Sequence, residues 1–270
     1  MILSVVIITH NEEANIARTL ESVKPLIADG KGEVIVVDSG SNDRTVEISK
    51  SFGAKVFIEE WKGYSAQKNS AIDKAVGDWI LSLDADEEVS PGMREFLLLT
   101  LFGQHKGEFA DFRGGMIFAR RNCFLGRCIR HGGFYPDPKL RLVRRGSARF
   151  EERPVHEDLR LSEGIEYRPS LFYKMGGPIE IIHHSYPTLS DYIDHMNRYS
   201  SLGAEMAVAD GRRGFSVVDI VVRPASTFIY NYFFRLGFLD SREGLLLHLY
   251  HSVYVSWKYA KAWELSRSRK

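Results

Sequence analysis

Four acidic side chains fall within five positions at Asp84-Ala85-Asp86-Glu87-Glu88, directly after the apolar run Trp79-Ile80-Leu81-Ser82-Leu83. The run has the length of a buried strand, so the carboxylates sit where that strand leaves its sheet. Carboxylates this close repel one another unless a cation lies among them. An Asp-x-Asp pair on a turn aims two hard oxygen donors at one place, and such donors suit Mg2+ or Mn2+. The plain alternative is a solvated acidic turn that caps the next helix. Two further polar clusters stand in the same position relative to apolar runs. Thr9-His10-Asn11-Glu12 closes the run from Ile2, and Asp38-Ser39-Gly40-Ser41-Asn42-Asp43 closes the run Glu33 to Val37.

The elements that must carry these clusters alternate. Ile2 to Thr9 reads as a buried parallel strand, and a helix through Ile16, Leu20 and Val23 follows, stopping near Pro25. Strands over 33–37, 55–58 and 79–83 are separated by helices through Val46 and Ile48, and through Ala66, Ala71, Ile72 and Ala75. Four strand–helix repeats predict an α/β domain with a parallel sheet. Ligands in such sheets bind beyond the carboxyl ends of the strands, where all three clusters lie, and this points to a nucleotide together with a metal. Neither G-x-G-x-x-G nor the phosphate-loop motif follows the first strand, which sets aside NAD, FAD and ordinary ATP sites.

Lys+Arg 36 against Asp+Glu 35 leaves a net charge of +1, so no global charge points to nucleic acid. Cys123 and Cys128 are too few for a disulfide framework and fit a reducing compartment; with His131 they form only a sparse metal pattern. Met1-Ile2-Leu3-Ser4-Val5 has no basic leader, and no stretch is long and apolar enough to span a bilayer. A cytoplasmic enzyme is expected.

The run from Val5 to Glu88 resembles a family 2 glycosyltransferase of the GT-A fold. The resemblance rests on Ile8-Thr9-His10-Asn11-Glu12-Glu13, Val36-Val37-Asp38-Ser39-Gly40-Ser41-Asn42-Asp43, Gln67-Lys68-Asn69 and Leu83-Asp84-Ala85-Asp86. Pro154-Val155-His156-Glu157-Asp158-Leu159 and His183-His184-Ser185-Tyr186 are similar to the bacterial lipopolysaccharide-core subgroup of that family. The resemblance implies a GT-A catalytic domain over 1–188, with a nucleotide-sugar half (1–102) and an acceptor half (103–188), then a helical region over 189–270. It also implies inverting, hexosyltransferase-type transfer from a nucleotide-diphosphate donor, a UDP-sugar, to a cell-envelope glycan or glycolipid, assisted by Mn2+ or Mg2+. Within that resemblance Thr9, His10, Glu12, Asp38, Lys68 and Asp84 line the nucleotide pocket, with Asp38 on the uracil ring. Asp86 ligates the metal, joined by Asp84 and by the imidazole of His184. The catalytic base is Glu157 or Asp158, which the residues alone do not separate. A sugar-nucleotide pyrophosphorylase, or an inactive carbohydrate- or partner-binding module of the same fold, is the alternative.

Lys139-Leu140-Arg141-Leu142-Val143-Arg144 alternates as a half-buried strand. Its basic residues face either a phosphate group or plain solvent. Tyr192, Met196, Tyr199 and Met206 recur at helical spacing as a core stripe up to Gly211. The segments 215–239 and 245–263 mix Phe, Tyr and Trp with Arg, Lys and His, which suits a helix lying in a membrane interface. Phe228, Tyr230, Phe233, Phe234 and Trp257 would enter that interface, with Arg223, Arg235, Arg242, Lys258 and Lys261 at the headgroups. The alternative is helices packed on the core or forming a homodimer contact.

Overall fold

The computed structural model describes residues 2–103, 114–151, 158–162, 165–167, 177–211 and 215–268. The expected alternation is present. β1 (Leu3–Thr9), α1 (Ile16–Ile27), β2 (Gly32–Asp38), α2 (Thr45–Ser51), β3 (Lys55–Ile58), α3 (Tyr64–Asp73) and β4 (Trp79–Asp84) follow in order. Pro25 lies inside the last turns of α1 rather than ending it. β1 pairs in parallel with both β2 and β4, and β2 with β3. β1 is thus central in the sheet, and helices cover both of its faces, which is why Leu3-Ser4-Val5-Val6-Ile7-Ile8 is apolar almost throughout. Leu3, Val5 and Ile7 pack with Ile16, Leu20 and Val23 of α1, and Val6 packs with Ala71 and Ile72 of α3.

Beyond this parallel block the sheet is mixed. β5 (Glu87–Val89) and α4 (Pro91–Leu97) follow the acidic turn, and α4 continues as a π turn over Leu98–Phe102. Then come β6 (Gly114–Phe124), β7 (Arg127–Cys128), β8 (Asp137–Arg144), β9 (Ala148–Glu151), β10 (Asp158–Leu161), β11 (Ile165–Tyr167) and β12 (Glu180–Tyr186). The strand order is β3-β2-β1-β4-β8-β6-β12-β5, with β8 antiparallel to β4 and to β6, while β9 and β10 form a separate hairpin.

The chain divides into two compact units, Met1–Arg120 with Asp137–His183, and Arg121–Pro136 with His184–Lys270. Residues 121–136 thus group with the helical region rather than with the acceptor half. In the second unit α5 (Leu189–Ala209) opens on a reciprocal Thr188–Asp191 cap. Two π turns, Val218–Val222 and Tyr230–Phe234, flank α6 (Arg223–Ile229), and α7 (Ser241–Ser268) closes the chain. The seam of α5 and α7 is made of Ala204, Ala207, Val208 and Ala262. Ala204, Ala207 and Val208 take the buried positions of the last turns of α5, so Tyr192 is buried but Met206, expected on the same stripe, is exposed. None of the described helices is long and apolar enough to cross a membrane.

Cys123 and Cys128 correct the sequence reading. They are directly opposed across the β6–β7 hairpin, with Cα atoms 3.8 Å apart, and form a disulfide. The tight turn between them, Leu125-Gly126, has positive φ at both residues, as a two-residue hairpin requires. His131, the third member of the metal pattern, instead meets Asp240, with Nδ1 3.1 Å from Oδ1.

Two histidines of α7 predict acid lability of this unit. His248 is buried against Phe134 and Tyr232, and a Cβ on either Gly132 or Gly237 would collide with its ring. Burial pushes its pKa down, partly offset by Asp240. Burial, with His248 beside it, pushes His251 down to about 4. Below the unfolded value of about 6.5 the unfolded chain takes up a proton that the folded site refuses, so stability falls as pH drops from about 6.5 toward 4. The loss from His251 is roughly 1–3 kcal/mol. We expect a lower Tm at pH 5 than at pH 7.5, with a shallower slope in His251→Phe. A Tm independent of pH across that window would refute it.

Candidate active site at the carboxyl edge of the sheet

Parallel pairing sets the strand ends level. Thr9 stands opposite Asp38, and Ile8 stands opposite Asp84. The loops after β1 and β2 are then stitched together. Asn11 N–H donates to Ser41 Oγ, Asn42 N–H to Asn11 Oδ1, Glu12 N–H to Thr45 Oγ1, and Glu13 N–H to Asp43 Oδ2. Asp38 is fully buried at the centre of this lattice. Its Oδ1 accepts the N–H groups of Gly40 and Ser41 at 3.0 and 2.8 Å, and its Oδ2 accepts the hydroxyls of Thr9 and Ser41. Four donors fill the capacity of a carboxylate. Gly40 makes the turn possible, with φ at +88°. His10, by contrast, is exposed, its ring 3.4 Å from the side-chain amide of Asn11.

Asp84 is the hub of a buried ion network. Lys68 Nζ lies 2.7 Å from its Oδ1, and Arg141 Nη2 lies 2.9 Å from its Oδ2. Arg141 also reaches Glu87 Oε1, Arg120 Nη1 lies 3.2 Å from the same oxygen, and Arg120 Nη2 is 2.7 Å from Asp137. Glu87 Oε2 accepts the Asp84 N–H at 3.0 Å. Burial opposes ionisation of Asp84, but Lys68 and Arg141 outweigh it and hold its pKa well below the usual range. Both Asp84 oxygens face a cation in this structure. Lys68 is likewise committed, between Asp84 and the Phe150 ring, whose centre is 5.1 Å away. Its neighbour Asn69 pairs in both directions with the Phe150 backbone, at 3.0 and 2.9 Å, and so ties α3 to β9.

Asp86 is differently placed. Its Oδ2 lies 3.1 Å from His183 Nε2. Burial raises its pKa, and the contact with His183 outweighs that and leaves it low, despite Asp84 nearby. The histidine that meets Asp86 is therefore His183, not the expected His184. His183 is registered against Glu87 across β12 and β5, and its successor on the strand points to the opposite face. Glu12 belongs to the same acidic locus. Burial raises its pKa, Asn15 opposes this, and Asp86, Asp43 and Asp84 raise it further.

Of the two candidate bases, Glu157 lies outside the described residues. Asp158 begins β10 opposite Glu151, half exposed, with Arg160 Nη2 3.9 Å away. Arg120, Arg141 and Glu87 are the site residues that sequence reasoning missed. Glu87 sat in the acidic cluster, but Arg141 read as one of three equivalent strand cations, and nothing local marks it as the buried one.

This mixed sheet, with its acidic and hydroxyl-bearing loops gathered at one edge, defines a GT-A type of nucleotide-sugar transferase fold. A mannosyltransferase from Pyrobaculum calidifontis, solved with GDP-mannose and Mn2+, shares it at a TM-score of 0.54 and 14% identity, covering 96% of this chain and 86% of that one. The model of glycosyl transferase family 2 matches residues 4–107. Along nearly the whole chain, a lipopolysaccharide core biosynthesis glycosyltransferase, LpsC of Rhizobium meliloti, is 30% identical over 90% of this chain and 82% of its own length. An uncharacterised glycosyltransferase of Rickettsia typhi is 29% identical over 98% of this chain and 87% of its own. The chain belongs to glycosyltransferase family 2, and this leaves the pyrophosphorylase alternative without support.

Proposed function

We propose that the protein transfers a sugar, with inversion, from a UDP-sugar to a hydroxyl of a cell-envelope glycan or lipid-linked acceptor. The observation that carries this is the level placement of Thr9 and Asp38 beside Asp84 and Asp86 at one sheet edge. The Rhizobium relative's role in lipopolysaccharide core biosynthesis supports an envelope acceptor.

The residues present suit Mn2+ or Mg2+. Among the described residues no three His, Cys, Asp or Glu side chains form a ready cage, so donor oxygens must complete the shell. In this reading Asp86 and His183, a carboxylate and an imidazole, would hold the cation, with Glu12 adding negative charge beside them. A cation there supplies charge neutralisation for the departing diphosphate. Lys68 and Arg141 fix Asp84, which keeps its carboxylate ionised and its position constant for the ribose side of the donor. Glu157 or Asp158 removes the proton from the acceptor hydroxyl as the new bond forms. Asn69 positions the hairpin that carries Asp158 through β9. Peripheral contact with a membrane, on the cytoplasmic side where donors are made, belongs to the same reading.

Asp38 reads the base by exchange: a uracil N–H takes the place of the rotatable Ser41 hydroxyl on Oδ2. The test is a thermal-shift series with UDP, GDP and ADP, each with and without Mn2+, since a nucleotide that binds the folded state raises its stability. UDP with Mn2+ should give the largest shift. Asp38→Asn keeps an oxygen for the Gly40 and Ser41 N–H groups but loses the acceptor, and should weaken UDP binding by about 1–3 kcal/mol. A larger shift with GDP, or unchanged UDP binding in Asp38→Asn, refutes the uracil role.

A further inference from the structure

The outward face of residues 217–234 inverts the usual pattern of a surface helix. Val217, Val218, Val221, Val222, Ile229, Tyr230, Phe233 and Phe234 are all exposed, Phe234 at 74%, and Ala225 and Ser226 fill the middle of the same line. The pairs repeat every four residues. In a plain α-helix a four-residue step overshoots a turn by about 40°, so such a line would wind around the helix. Here the wider π turns over Val218–Val222 and Tyr230–Phe234 drift the other way and keep the line straight. The inner side is satisfied by packing on α7, with the Ser256 hydroxyl on the Ile220 carbonyl at 2.9 Å and Tyr232 against His248. Exposed Leu236, Phe238 and Leu239 extend the apolar surface beyond the helical run. A contiguous exposed strip of this kind marks a contact surface.

We propose that this strip docks on an anionic lipid surface. The sign of its border selects that occupant. Between residues 217 and 243 the cations are Arg223, Arg235 and Arg242, and the acids are Asp219, Asp240 and the part-buried Glu243. Asp219 is paired with Arg223 at 2.8 Å, and Asp240 is buried against His131 and the Arg130 N–H. Arg235 and Arg242 are exposed, and the Arg235 guanidinium lies 5.0 Å from the centre of the Tyr230 ring. A second copy of the chain would bring the same arginines and, of this segment's acids, only the part-buried Glu243 to meet them, whereas anionic headgroups supply the opposite charge across the whole border. Tyr230 beside Arg235 sets an amphipathic ring and a cation at the level where apolar tails give way to headgroups. The surface is also narrower than the sequence suggests. Phe228 and Trp257 are half-buried, and Lys261 Nζ is spent on Asn197, Ser200 and Ser201.

The proposal rests on the membrane contact of the proposed function and gives it a defined surface; its test needs neither donor nor acceptor, so its failure is separate from failure of the donor reading. The full chain is floated with vesicles of phosphatidylcholine alone or with added phosphatidylglycerol, at low and high salt. Binding is expected with phosphatidylglycerol at low salt and should weaken as salt rises. Phe233→Ser with Phe234→Ser should weaken it about tenfold or more, and Arg235→Gln with Arg242→Gln should remove the preference for the anionic vesicles. Both pairs are exposed, so the melting curve should match wild type. No flotation with anionic vesicles at low salt, or equal flotation of the Phe233/Phe234 variant, overturns the proposal. So does a dimer seen by light scattering that the same two substitutions dissolve while wild type ignores vesicles, because the second copy then covers the strip.

Discussion

Asp86→Ala is expected to reduce sugar transfer by about 10²-fold or more, the scale on which removing one group that stabilises developing charge acts. The fold should survive, because Asp86 stands at the sheet edge with one ion-pair partner, His183, among the described residues. The informative controls are the two adjacent histidines. His183→Gln should lower the apparent affinity for Mn2+ in a thermal-shift titration, while His184→Gln should leave it unchanged, because His183 is the histidine paired with Asp86. Wild-type transfer by Asp86→Ala sinks the metal assignment. The reverse order of the histidine effects sinks the ligand choice while leaving Asp86 in place.

Glu87→Ala should be costly to stability. Glu87 is fully buried and accepts from Arg141, Arg120 and the Asp84 N–H. Without it two guanidiniums lose a shared counter-charge inside the protein. Breaking a buried pair from one side costs about 3–5 kcal/mol, and for a chain of this size that lowers Tm by roughly 6–20 °C. Glu87→Gln, which keeps the shape and the Asp84 N–H acceptor, should cost less than the alanine. A wild-type midpoint for Glu87→Ala in urea or heat would show that Asp84 and Asp137 alone balance Arg141 and Arg120. Activity should fall in Glu87→Ala beyond what lost folding explains, since Glu87 holds the backbone of Asp84.

Much of the nucleotide half was legible because a parallel sheet leaves little choice. Apolar runs over 2–9, 33–37 and 79–83 cannot face water on either side, so they become central strands with helices on both faces. Once they lie in parallel, whatever follows each run arrives at one edge. Thr9, Asp38 and Asp84 were therefore placed by pattern alone, before any contact was known. What those residues touch was another matter. The carboxylate of Asp38 looked available for a base, yet Gly40 and Ser41 of its own turn and Thr9 of the neighbouring strand fill its acceptor positions.

Contacts across long stretches of chain were decided only by the tertiary structure. Arg141 read as one cation of an alternating strand with a solvated face. β8 lies inside the sheet between β4 and β6 and Arg141 is buried there, so it had to find Asp84 and Glu87 or remain a buried, unpaired charge. His183 and His184 are equivalent as letters; the register of β12 on β5 gives Asp86 to the first of them. Cys123 and Cys128 were too sparse a pattern to imply a bond, and the β6–β7 hairpin brought them together. The C-terminal aromatics suggested an interface from composition, but which ones face outward depended on helix phase, and the π turns set that phase. Local pattern thus determined the order of elements and the edge where chemistry gathers, because backbone hydrogen bonding and burial act on every residue of a run alike. Partner choice at that edge fell to three-dimensional packing, because a charge or ring is satisfied by whichever group the fold brings near, at any distance along the chain.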